Sequence, residues 1–301
     1  MNTDIAVLNS CFGIDDQVVF KTISEHFSIV EIDNAHASAS ISLQGAHLMS
    51  WVPKGGEPVI WMSQEASFET GKPIRGGIPV CWPWFGDHSA NSSLPAHGFA
   101  RTALWEVIQT EALKDDTTLI AFRLIQEGGN HDGWPYSAEL EIHFIIGDSL
   151  KIDLVTRNTG KSAITVGDAL HTYFAVSDVR NITINGLDGC PYLDKVDGSE
   201  QKKQQVGAVQ FDQETDRIYL ESTEDCVIDD PGLKRRIRIS KLNSESTIVW
   251  NPWIEKSERM GDLGKDGYLN MVCVESANAA DDVVLIAPGE KHHLWVRYSV
   301  E

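Results

Sequence analysis

The chain has 301 residues, 42% of them hydrophobic, and its 25 Lys+Arg against 44 Asp+Glu give a formal net charge of -19. That apolar content supports a substantial core and excludes intrinsic disorder. The acidity argues against a nucleic-acid partner, because binding a phosphate backbone needs a basic footprint, and any anionic ligand must be held by local arginines against the overall field.

Period-2 patterning dominates. Residues 18–23, 27–32, 38–43 and 46–52 read as strands, and 63–69 as a helical turn. Residues 75–86 and 96–101 then break the pattern. They hold Arg75, Arg101 and His97 among four glycines, two prolines and the aromatics Trp82, Trp84 and Phe85. Adjacent glycines admit close backbone approach, and prolines fix turns. The aromatics suit a pocket wall and the guanidiniums an anion. A proline-broken loop over a β core accounts for the segment equally well.

Strands resume as two hairpins. Residues 104–113 and 117–127 flank Asp115-Asp116, and 137–144 and 149–154 flank Gly147-Asp148. Residues 162–176 read as one strand, and the polar stretch 194–205 as a solvated loop. Strands follow at 217–222, 235–242 and 246–250, with a short helix within 252–264. The last strands are 270–275, 283–286 and 293–300. Many short strands with Gly, Asp and Asn turns predict an all-β sandwich or barrel. No linker or repeat divides residues 1–301, so a single domain is expected.

The five cysteines, Cys11, Cys81, Cys190, Cys226 and Cys273, are odd in number and include no CxxC pair. They read as reduced thiols in a cytoplasmic protein. The N-terminal residues lack a signal-peptide pattern, and no apolar run reaches membrane-span length, so no membrane partner is expected.

His171 stands in an otherwise apolar segment, Gly167-Asp-Ala-Leu-His-Thr-Tyr-Phe. Imidazole is the usual proton carrier near neutral pH, but a core histidine satisfied by one hydrogen bond fits as well. Glu275 ends the apolar run of residues 270–275. A carboxylate there is either a buried, hydrogen-bonded ion or a base whose pKa burial raises. Asp216-Arg217 reads as a solvated pair, and the Trp250-Asn-Pro-Trp turn as core packing or a sugar-stacking surface. His26, His36, His88 and His131 lie beside polar or turn residues. His143 falls on a polar strand face, and His292-His293 enters the last strand in a structural position. Nucleotide-binding, zinc-protease and serine-hydrolase motifs are absent. Residue types alone leave a metal set of His97, His171 and Glu275 open, but the H-x-H spacing common on strands is missing.

Together these segments resemble the aldose 1-epimerase superfamily, and most closely its hexose-6-phosphate mutarotase branch. The resemblance rests on Arg75-Gly-Gly-Ile-Pro, Cys81-Trp-Pro-Trp-Phe-Gly, His97-Gly-Phe-Ala-Arg, Asp168-Ala-Leu-His-Thr-Tyr-Phe, Thr215-Asp-Arg-Ile-Tyr and Val272-Cys-Val-Glu. Each motif is weak, but the ordered set is specific and spans most of the chain. It implies a large twisted β-sandwich of the galactose mutarotase-like supersandwich type. It also implies anomer exchange in a hexose 6-phosphate, without metal or cofactor, by a cytoplasmic monomer. His171 would be the general acid and Glu275 the general base. Arg75 and Arg101 would bind the phosphate, His97 would line the site, and Asp216 would hold sugar hydroxyls. Some members carry glutamine where this chain has Ala96. Nearby carboxylates are expected to favour a charged His171. The alternatives are an epimerase of free hexoses and a carbohydrate-binding sandwich without catalysis.

Overall fold

A computed structural model of the protein describes residues 4–24, 27–131, 133–198 and 201–301. His26 lies outside the described residues. Every strand pair among the described residues is antiparallel. The strands form two eight-stranded sheets, a four-stranded sheet at the N-terminal end, and a two-stranded ribbon.

The four-stranded sheet is a meander of Val18–Ser24, Phe27–Asp33, Ala37–Ser42 and His47–Pro53. A helix not expected from the sequence, Ile5–Phe12, precedes it. The Asp4 carboxylate caps its first turn, and the Asn9 amide exchanges two hydrogen bonds with the Phe20 backbone. At 63–69 no helix forms, because the Ser63 hydroxyl accepts from the Glu65 N–H and closes an isolated turn.

Both predicted hairpins form, as Glu106–Ala112 with Thr118–Gln126 and Ala138–Ile146 with Ser149–Asn158. They belong to one large sheet with Thr183–Asn185, Cys226–Asp230, Arg235–Leu242 and Lys291–Val300. Ala138–Ile146 alternates buried with half-buried positions, so this sheet has one core face and one wet face.

The second large sheet carries the site. Its strand order is Lys203–Gln204, Pro191–Asp194, Thr215–Tyr219, Ser246–Asn251, Met271–Asn278, Asp168–Leu170 and Val80–Cys81, with Tyr173–Ala175 also on Met271–Asn278. Met271–Asn278 is buried at every residue. Its even residues Val272 and Val274 join the main core, which also draws Leu140, Ile152 and Leu294 from the facing sheet. Its odd residues Met271, Cys273 and Ala277 join a second apolar cluster with Tyr173, Ile218, Ile248 and Trp250. Covering on both faces explains why this strand reads as a continuous apolar run. The observed architecture is the expected all-β sandwich.

Two sequence expectations change here. The strand expected over 162–176 is three short strands, Ile164–Val166, Asp168–Leu170 and Tyr173–Ala175. The polar stretch expected as a solvated loop contains the edge strand Lys203–Gln204, whose side chains are exposed. Polar composition reports that exposure, whereas pairing depends only on backbone groups.

Candidate active site

Sheet register builds the floor. Asp216 pairs with Trp250, Trp250 with Cys273, and Cys273 with Tyr173, giving one row across four strands. Ile218, Ile248 and Glu275 form the next row. Alternation puts Glu275 on the same face as Cys273. Asp216 lies two strands from Met271–Asn278, about 10 Å away at normal strand spacing.

His171 sits where the 162–176 segment breaks. Its N–H donates to the Pro79 carbonyl, and the Thr172 N–H and hydroxyl both return to the Leu170 carbonyl. The imidazole stacks on Tyr173 with centroids 4.9 Å apart, and meets Trp250 and His97 edge-on. Its Nδ1 is 3.4 Å from Glu275 Oε1.

His97 is placed by backbone constraint. It adopts a positive φ of 66° and precedes Gly98. A Cβ on Gly98 would lie 1.9 Å from the Trp82 carbonyl oxygen, so only glycine fits. The His97 N–H donates to the Gly86 carbonyl, and its Nδ1 accepts from the Gly86 N–H at 3.3 Å.

These elements enclose a cavity of about 610 Å³. All six residues singled out in the sequence line it: Arg75, His97, Arg101, His171, Asp216 and Glu275. The aromatic wall differs from the expectation. Phe85 and Trp250 line the cavity, whereas Trp82 is fully buried in the main core and Trp84 lies elsewhere. Ala96 also lines it, so the position carries no polar side chain.

The guanidiniums are held in place. Arg75 donates from Nη1 to the Tyr173 hydroxyl at 2.9 Å and pairs through Nη2 with Asp262 at 3.1 Å. Burial works against its charge, but Tyr173 and Asp262 outweigh burial and raise its pKa. Arg101 donates from Nη2 to the Ala96 carbonyl at 2.8 Å. Asp216 is pushed above the usual carboxylate range by burial, against the nearby Lys256 ammonium.

The expected charge on His171 is corrected. Burial lowers its pKa well below the ordinary value, and His97, Arg101 and Arg75 lower it further. Burial and Asp216 raise Glu275 well above the carboxylate range, with Arg101 opposing. The sequence shows the carboxylates but not the two guanidiniums converging on the same imidazole. His97 is likewise neutral, pushed down to about 3 by burial and then by both arginines. With Nδ1 accepting, its ring proton sits on Nε2.

Residues 28–299 match the sequence profile of the aldose 1-epimerase family. The chain belongs to that family. An Escherichia coli relative named "Putative glucose-6-phosphate 1-epimerase" is 38% identical over 85% of each chain. A Salmonella typhimurium relative of the same name is 37% identical over 85% of this chain and 84% of its own. The crystal structure of a "putative mutarotase" from Salmonella typhimurium superposes with a TM-score of 0.88 and 32% identity. That match covers 96% of this chain and 95% of the other.

This family member has two cavity cations that the sequence did not reveal. Lys256, on the helix Trp253–Arg259, pairs with Glu214 at 2.8 Å and lies 3.6 Å from Asp216. Lys195 follows the Pro191–Asp194 strand, and its N–H donates to the Asp216 carbonyl. Both line the cavity. Neither carries a motif, and composition placed Lys195 in a solvated loop. Asp216 itself is inside the strand Thr215–Tyr219 rather than before it, and is half-buried rather than solvated.

Proposed function

We propose that the chain interconverts the α and β anomers of a hexose 6-phosphate, glucose 6-phosphate foremost. The observation carrying this reading is the Glu275–His171 pair, 3.4 Å apart, on the floor of a cavity that also holds two arginines. Glu275 takes the proton of the anomeric hydroxyl as His171 gives one to the ring oxygen. The C1–O5 bond breaks, the aldehyde turns about C1–C2, and the ring closes on its other face with the roles reversed. General acid–base assistance of this kind contributes about 10²–10⁴-fold per positioned group.

In the free site the surroundings oppose the His171 imidazolium. A bound phosphate dianion offsets the field of Arg75 and Arg101, and the proton that burial holds on Glu275 passes to His171, 3.4 Å away, leaving an ionised Glu275 as base and counter-ion. The guanidiniums therefore serve both grip and charge balance, and a neutral sugar supplies no such charge. His97 offers its Nε2–H to a sugar hydroxyl, and Asp216 accepts from hydroxyls on the far side of Trp250. The reaction moves protons between oxygens, so electron and group carriers have no part in it. In this reading the enzyme is a single-domain cytoplasmic monomer. Among the described residues no helix is long and apolar enough to cross a membrane.

Two-dimensional NMR exchange between the anomers of glucose 6-phosphate, run beside free glucose, tests the proposal. Acceleration for the phosphate ester alone is expected. Acceleration for free glucose alone assigns the protein to neutral sugars, and acceleration of neither removes the catalytic reading for these substrates.

A further inference from the structure

Cys273 is two residues before Glu275 on the same strand face. One ligand atom from each of His171, Cys273 and Glu275 lies within 4.8 Å of the others, and all three residues are buried. Among the described residues, His171 Nδ1 and Glu275 Oε2 have no hydrogen-bond partner. Two unpartnered polar atoms beside a thiol form a donor set of nitrogen, oxygen and sulfur. We propose that this floor is an inhibitory binding site for a borderline-soft divalent cation of the zinc class.

The donor chemistry fits. Zinc takes imidazole, carboxylate and thiolate together, and three protein ligands leave a fourth position open toward the cavity. Tetrahedral ligand atoms around zinc are roughly 3.5 Å apart, so the set must contract by about 1 Å at its widest. Binding forms bonds to nitrogen, oxygen and sulfur and releases the protons of the Cys273 thiol and the Glu275 carboxyl to solvent. Arg75 and Arg101 face the same cavity and weaken the attraction for any cation. The site is therefore reversible, and an occupying cation blocks both proton-transfer groups at once.

The inhibitory consequence rests on the proposed roles of His171 and Glu275, but cation binding does not. Full-length protein is titrated with Co²⁺, and a sulfur-to-cobalt charge-transfer band saturating at one equivalent is expected. Cys273→Ser removes the band, and Cys273→Ala does the same should the serine variant fold poorly. In parallel, Zn²⁺ inhibits anomer exchange and chelator reverses it. Measured against its own metal-free exchange rate, Cys273→Ser raises the half-inhibiting Zn²⁺ concentration about 10–100-fold. A band that persists in both variants assigns the metal to another thiol and overturns the proposal. An absent band in the wild type, or unchanged Zn²⁺ sensitivity in the variants, overturns it too. If the wild type exchanges neither sugar, the functional reading fails and the cobalt band still decides the site.

Discussion

Glu275 Oε1 stands 3.4 Å from His171 Nδ1, while Glu275 Oε2 and His171 Nδ1 have no hydrogen-bond partner among the described residues. A buried polar group without a partner costs free energy that a purely structural pair would have been arranged to avoid. The arrangement leaves both groups available to something entering the cavity. Glu275→Gln or His171→Asn is expected to slow anomer exchange by about 10²–10⁴-fold without unfolding the protein. Exchange NMR beside a thermal melt checks this, and near-wild-type exchange in either variant removes that residue from its role.

Arg75 and Arg101 are the proposed phosphate grip. Losing one charge-assisted hydrogen bond costs about 1.5–3 kcal/mol, or roughly 10–150-fold in affinity. Arg75→Ala or Arg101→Ala should raise KM for glucose 6-phosphate by that factor and change KM for free glucose much less. Equal changes for both sugars would count against phosphate recognition.

Asp168 gives the fold a pH dependence. It is fully buried, with no hydrogen bond of normal geometry to either carboxylate oxygen among the described residues, and burial with the nearby Asp282 charge pushes its pKa up to about 7 against the opposing Asn278 backbone. A carboxyl raised above its unfolded value binds its proton more tightly when folded. Its contribution to stability is therefore fully present below about pH 4, is lost as pH rises through 7, and is constant above. Asp168→Asn removes that dependence. The gap in Tm between the variant and the wild type should widen in the variant's favour from pH 4 to 8, and melting curves across that range showing a constant gap would refute it.

Gly98 fixes His97. An alanine there meets the Trp82 carbonyl and must hold a φ of 71°. Gly98→Ala is expected to destabilise the protein by more than about 1 kcal/mol, seen as a lower denaturation midpoint. It should also lower exchange activity at temperatures where the variant remains folded, because His97 and the cavity wall shift together. Unchanged midpoint and activity would contradict the geometry.

The all-β architecture and both hairpins were legible in the residue pattern alone, whereas the six cavity residues were legible only through the resemblance of their motifs to a known family. Strand alternation is a local property, so Ala138–Ile146 and Ser149–Asn158 announce their buried faces. The six residues were legible because they fall in ordered motifs whose residue types suit a shared chemistry. Other local signals were weaker. The helix Ile5–Phe12 has only one fully buried residue, Leu8, and 63–69 has turn-forming residues without a second turn to propagate them.

The electrostatics and the floor of the site arise from contacts between segments far apart in the chain. Register between distant strands sets Cys273 across from Trp250 and Tyr173, and Glu275 across from Ile248. It also brings Lys195 and Lys256 to Asp216, from a strand end and a helix that share no motif with it. The charge of His171 followed the same rule. Its sequence neighbours are apolar, and the groups that lower its proton affinity, His97, Arg101 and Arg75, lie at least 70 residues away in the chain. Proton affinity depends on burial and on charges within a few ångströms, and the folded sheets alone set those distances.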